Sequence, residues 1–209
     1  MSILHVYAFG SLTRGDIEVN SDIDLLAVTT GRNSSLNPAT FSIYSHRRLK
    51  EIWLAGNPFA WHLHLEAKPV FFSDGNDFVD DLGSPAKYQE QVNDCIKFLN
   101  LFRSAMKSLE LNSKSSVFDL SSAFLGLRNF SSCYLLGQGR PNFSRNVALE
   151  LMGDSPPISI EDYRILERSR VLCTRGLGQH VTKGEAGKAV SSLKDLEKWM
   201  QNLLASLTK

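Results

Sequence analysis

Residues 8–28 read AFGSLTRGDIEVNSDIDLLAV, and the reading of this stretch decides what the N-terminal part of the chain is. An apolar run, ILHVYAF at residues 3–9, has the β-branched and aromatic content of a strand and stops at Gly10. A polar connection from Leu12 to Ser21 follows, and a second apolar strand is predicted over Asp22 to Val28. Two carboxylates, Asp22 and Asp24, stand two residues apart on that second strand, which directs both to one face. Like charges so placed repel unless a cation sits between them. A hard, oxygen-preferring ion such as Mg²⁺ (or Mn²⁺) suits them, because it takes carboxylates together with waters and phosphate oxygens. Gly10 permits a tight turn and close backbone approach. Ser11 offers a hydroxyl and an amide at the start of a helical turn, where phosphates bind, and Arg14 adds positive charge. The parts together describe a metal and nucleoside triphosphate site suited to in-line phosphoryl or nucleotidyl transfer.

Working outward, Thr40 to Tyr44 alternates like a third strand, and Ser45 to Ala55 carries Leu49, Ile52 and Trp53 at helical spacing before Gly56. The next segment supports two readings. Trp61, Leu63 and Leu65 alternate with His62, His64 and Glu66 as in a strand, whereas Asn57-Pro58 is an N-cap followed by a favourable first helical residue. The helix to about Glu66 is preferred, with a strand from Pro69 to Phe72. On a strand all three polar residues share a face; on a helix only His62 and Glu66 do. Asp74 to Ser84 reads as an acidic loop. Beyond it, long helices are expected from Ser84-Pro85 to about Leu111, from Ser116 to Leu136, from Ser159 to about Cys173 and from Ala186 to Leu207. A short one is expected at Ser144 to Met152. The fold class is therefore α+β: a small mixed sheet over residues 1–80, then an all-α bundle over residues 81–209.

Bulk composition narrows the partners. Apolar residues at 43% and charged residues at 22% are those of an ordinary soluble protein, and a net charge of +1 disfavours a general nucleic-acid binder. Three cysteines (Cys95, Cys133, Cys173) lie far apart in helix-like patterns, which speaks against a zinc site or disulfide framework and for a reducing compartment. No apolar run approaches a membrane span, and MSILHVYAFGSLTRG lacks the basic start of a signal peptide. No membrane association and a cytoplasmic location are expected.

The order Gly10-Ser11, a spacer containing Arg14-Gly15-Asp16, then Ser21-Asp22-Ile23-Asp24-Leu25 resembles the signature of the DNA polymerase β-like nucleotidyltransferase superfamily. Its minimal and kanamycin-type branches are the most similar. The resemblance implies that Gly10 and Ser11 hold the triphosphate of an NTP, ATP first among them, and that Asp22 and Asp24 hold Mg²⁺. It also implies an acceptor hydroxyl on a small molecule or a protein. The superfamily carries a third carboxylate on a later strand, yet Thr40 to Tyr44 contains no acid. Glu66 is the nearest candidate to complete the catalytic set, and a helix-surface role is its alternative. A zinc site built from His62 and His64 is disfavoured.

In the helical half, Arg128-Asn129 followed five residues after the arginine by Cys133 resembles the HEPN-type Arg-Asn-His pattern with the histidine replaced. That resemblance implies a HEPN-like or substrate-binding bundle without RNase chemistry, and a toxin–antitoxin partnership as the alternative function. Arg128 could equally serve structure. The loop GQGRPNFSR sets Arg140 and Arg145 beside Phe143, either as a base- and phosphate-contacting loop or as a surface turn. Oligomeric state stays open, a homodimer included.

Overall fold

The computed structural model describes residues 3–16, 23–31, 36–111, 115–151 and 153–208. Two compact units divide it, 1–89 and 90–209. In the first, β1 (Leu4–Phe9), α1 (Ser11–Arg14), β2 (Asp24–Thr29), β3 (Phe41–Ser45), α2 (His46–Leu54), α3 (Pro58–Glu66), β4 (Lys68–Phe72) and α4 (Phe78–Asp81) follow one another. The strands form one sheet in the order β3-β2-β1-β4. β1 runs antiparallel to both β2 and β4, while β2 and β3 are parallel. A mixed sheet ahead of a helical unit is the α+β architecture that the hydrophobic pattern predicts.

Alternation along the strands explains the core. Tyr7 and Phe9 of β1 lie on the same face as Leu26 and Val28 of β2, and this face packs on Leu49, Ile52 and Trp53 of α2 and on Ala60 and Leu63 of α3. The α2 residues recur at i, i+3 and i+4, the stripe a helix needs to lie on a sheet. Ser45 caps α2 by accepting from Arg48 N, and Asn57 caps α3 by accepting from Phe59 N, with Pro58 in its first turn. The helical reading of Pro58 to Glu66 is therefore the observed one. The single tryptophan of α2 also anchors the chain beyond the sheet: Trp53 Nε1 donates to Gly83 O at 2.9 Å, and Trp53 O accepts from Ala86 N at 3.0 Å.

That anchoring corrects one expectation. Ser84-Pro85 does not open the long helix; α5 starts at Gln91, because the backbone around Ala86 is bonded to Trp53 and Trp61 instead of to its own next turn. The acidic loop likewise contains α4, nucleated by Asp77, whose side chain accepts from Val79 N and Asp80 N.

His5 of β1 is a buried polar residue, 2% exposed. Its Nε2 lies 2.9 Å from Asp74 Oδ1, and its Nδ1 lies 3.2 Å from His46 Nε2. A carboxylate only accepts, so His5 donates from Nε2 to Asp74, and with a neutral ring its Nδ1 accepts a hydrogen bond from His46 Nε2. His46 stacks on Phe78 with ring centres 4.0 Å apart. Burial lowers the His46 pKa, and the neighbouring His5 and Lys50 lower it further, against an opposing pull from Asp74. Asp74 itself titrates below the usual carboxylate range because His5 donates to it.

The second unit comprises α5 (Gln91–Glu110), α6 (Ser116–Gly137), α7 (Ile160–Arg175) and α8 (Lys183–Ser206). α6 is buried nearly all round and packs on the other three, as its low polarity requires. α8 buries Ala186, Ala189, Leu193, Leu196, Met200 and Leu203, alternating steps of three and four. Its start lies three residues earlier than periodicity suggests, because Thr182 and Glu185 form a capping box. Ser144 to Met152 is not the expected short helix: Ser144 accepts from nothing that would start one, its own N–H donating to Asn142 Oδ1. Consecutive three-residue turns follow, Leu149 N to Asn146 O and Glu150 N to Val147 O, and Met152 lies outside the described residues. Among the described residues no helix is long and apolar enough to cross a membrane.

Two outcomes follow from this packing. Gly56 has φ +61°, and a Cβ there would lie 2.4 Å from Ala86 O and 2.6 Å from Lys87 O. Gly56→Ala should therefore destabilise unfolding equilibria by roughly 2 kcal/mol or more, read by urea denaturation. His46 stays neutral in the fold below its ordinary value of 6.5, so the unfolded chain takes up the proton first as pH falls. Stability present above that value is lost progressively below it, and Asp74 adds its loss only in the more acid range. The melting temperature should fall from about pH 7 to about pH 5, and less steeply in His46→Phe, which keeps the stack and removes the titration.

Candidate functional site

The sequence motif becomes a turn at one end of the sheet. β1 ends at Phe9, and Gly10 leaves it with φ +79°, a conformation that favours glycine. Gly10 O then accepts from Thr13 N at 3.1 Å, Arg14 N at 3.3 Å and Thr13 Oγ1 at 2.9 Å, which winds residues 11–14 into α1. Ser11 is the first residue of that turn, where early amides have no intrahelical acceptor.

Cross-strand register brings the carboxylate to the turn. Phe9 pairs with Asp24 across β1 and β2, so Asp24 opens β2 directly beside the residue that precedes Gly10. The approach is close enough that a Cβ on Gly10 would lie 2.5 Å from Asp24 Oδ2. Glycine is therefore needed at Gly10 twice over, for its dihedral angle and for the space Asp24 fills. Asp22 lies outside the described residues.

Glu66 arrives from the end of α3. Its Oε2 is 2.5 Å from Arg14 Nη1 and 2.9 Å from His62 Nε2, while Arg14 Nε is 2.9 Å from Asp16 Oδ2. Helical spacing puts His62 and Glu66 on one face, and the His62 ring stands edge-on to Phe9 at 5.5 Å between centres. Gly10, Ser11, Arg14, Asp24 and Glu66 thus converge on one end of the sheet. His62, for which the sequence disfavours a zinc role, joins them; its i, i+4 relation to Glu66 is the signal in the sequence. His64 faces elsewhere, with its ring against Trp53 and Trp61.

β3 contributes no acid. Its parallel register sets Leu26 beside Ser42 and Val28 beside Tyr44. Among the described residues no three His, Cys, Asp or Glu side chains group as a metal site. The oxygen donors compatible with Mg²⁺ are Asp24 and, from the motif, Asp22, a set that leaves further positions to phosphate oxygens and water.

In the helical unit, Arg128 donates to Phe143 O at 2.7 Å and to Ser144 O at 3.3 Å. It holds the 138–145 loop on α6, which is the structural role. Cys133 is buried on α6, and Phe143, at 6% exposure, is a core residue, which overturns the base-stacking reading of that loop.

Replacement of Gly10 tests the turn. Gly10→Ala should displace Asp24 and lower stability by about 1–3 kcal/mol, and a melting curve measured beside a crystal structure of the variant would register both.

No curated protein matches the chain. Residues 2–78 match the family described as Nucleotidyltransferase domain, a span that holds the whole sheet and every motif residue above. That match lies within the first unit and is consistent with a polymerase β-like nucleotidyltransferase domain there.

Proposed function

We propose that the protein is a Mg²⁺-dependent (or Mn²⁺-dependent) nucleotidyltransferase. It would move a nucleoside monophosphate from an NTP, ATP first among them, to the hydroxyl of a small-molecule or protein acceptor. The observation that supports this reading is the close approach of Gly10 to the Asp24 carboxylate, since such a turn suits phosphate and such an oxygen suits a metal ion. Asp24 and Asp22 would hold the metal, which when bound screens the triphosphate's charge and favours departure of pyrophosphate. The backbone at Gly10 and Ser11 receives phosphate oxygens, and Arg14 adds a guanidinium donor to them. As the acceptor oxygen bonds to the α-phosphorus, the bond from that phosphorus to the bridging oxygen breaks. The hydroxyl proton is released, and pyrophosphate leaves.

One observation favours a second reading. The β3 register offers Ser42 and Tyr44, and no carboxylate, beside Leu26 and Val28, on the face shared by Asp24. A nucleotidyltransferase-fold binding protein, such as an antitoxin or regulator for a HEPN-type toxin, needs no such acid.

Labelled NTPs separate the two. Incubation with Mg²⁺, each labelled NTP and cell lysate should yield a labelled product, and Asp24→Asn or Asp22→Asn should reduce its formation by about 100-fold or more. No product from any NTP, with partner binding unchanged in the double variant, would leave the binding-protein reading standing.

A further inference from the structure

Glu66 is the acid nearest to completing the catalytic set, and its surroundings give it a different task. One oxygen, Oε2, accepts from both Arg14 Nη1 and His62 Nε2, at 2.5 and 2.9 Å. The Glu66 and His62 side chains are 11% and 15% exposed, so this junction is largely withdrawn from water, where a charge-assisted bond is stronger. The partners are themselves fixed. His62 is one turn back on α3 and lies edge-on against Phe9 and Phe59, so α3 and β1 hold the ring from two sides. Arg14 is the last residue of α1, three beyond Ser11, and its Nε is held by Asp16. Among the described residues Arg14 Nη2 has no hydrogen bond. The guanidinium is thus clamped through Nε and Nη1, with one nitrogen left to donate.

A general base or a metal-binding carboxylate needs an oxygen open to a hydroxyl or a cation. A group that immobilises an arginine needs the opposite: an oxygen already engaged, on a rigid helix, at short range. Glu66 Oε2 has the second set of properties, engaged by both Arg14 and His62 at the end of α3. Exposed arginines lose several rotamers' worth of freedom when they bind a phosphate, and pre-ordering one side of the fork removes much of that loss.

We infer that Glu66 and His62 are positioning residues that fix Arg14 beside the Gly10-Ser11 turn for the triphosphate. This rests on the nucleotidyltransferase reading above. It predicts a division of effects that a structural or a basic role would not produce.

The test is a double-mutant cycle on binding of a non-hydrolysable ATP analogue with Mg²⁺, followed by titration calorimetry, with transfer kinetics measured on the same proteins. Arg14→Ala and Glu66→Gln should each raise Kd by about tenfold, and the double variant should bind within about twofold of Arg14→Ala alone. His62→Ala should raise Kd by a smaller factor, and the pH profile of kcat should keep its shape in Glu66→Gln. The inference is overturned if Glu66→Gln binds like the wild type while kcat collapses and its acidic limb disappears, which identifies a base. Multiplicative effects of the two substitutions on Kd overturn it equally, since independent residues do not share a task. A wild-type protein that binds the analogue under none of these conditions overturns this inference and the underlying reading together, an outcome distinct from the other two.

Discussion

Everything the first unit offers chemically depends on one close approach, that of the Gly10 backbone to the Asp24 carboxylate. It requires three things at once. β1 and β2 must pair with Phe9 opposite Asp24, the chain must leave β1 with a positive φ, and the position must lack a Cβ. A slip of one residue in that register would send the Asp24 side chain to the opposite face of the sheet. The register is held from the core side, where Tyr7, Leu26 and Val28 are almost completely buried against α2 and α3. Hydrophobic packing of an ordinary kind thereby fixes the relation between the Gly10 turn and the Asp24 carboxylate.

The charge balance at this end of the sheet is as informative as its shape. Arg14 is flanked by the carboxylates of Asp16 and Glu66, with Asp24 nearby on the strand, so the acids outnumber the one guanidinium. Such an excess is tolerable where a cation is to be taken up, and a polyanionic triphosphate would meet the motif only with such a cation bound. The arginine is held by Asp16 on one side and on the other by Glu66, which His62 also engages.

The helical unit shows how the same residue type takes different work in different surroundings. Arg128 sits within a sequence pattern that resembles an RNase site, but in the fold its guanidinium donates to two consecutive carbonyls, Phe143 O and Ser144 O. A buried carbonyl without a donor is costly, and the guanidinium supplies one to each. Phe143 is drawn into the core by the same arrangement. The neighbouring polar residues follow suit: Asn142 and Ser144 bond Glu150, and Tyr163 donates to Arg145 O. The loop is a folded, internally bonded piece of the bundle.

Local chemistry determined much of this protein without help. Apolar alternation and stripes are properties of neighbouring residues, so the strands at Leu4–Phe9, Asp24–Thr29 and Phe41–Ser45 and the capped helices α2 and α3 are legible in the chain itself. The Gly10-Ser11 and Asp22-x-Asp24 spacing is legible for the same reason, since each half of the motif spans a single turn or strand. Tertiary structure decided what distant residues do to one another. Trp53 and Trp61 draw the backbone near Ala86 away from the helix that Ser84-Pro85 seemed to begin, and Arg128 is committed to a loop fifteen residues away. Glu66, separated from Arg14 by 52 positions, becomes its partner only because β4 and α3 return beside β1. A carboxylate's neighbours, unlike its helix, are chosen by the fold, and with them whether it takes a proton, holds a metal or fixes an arginine.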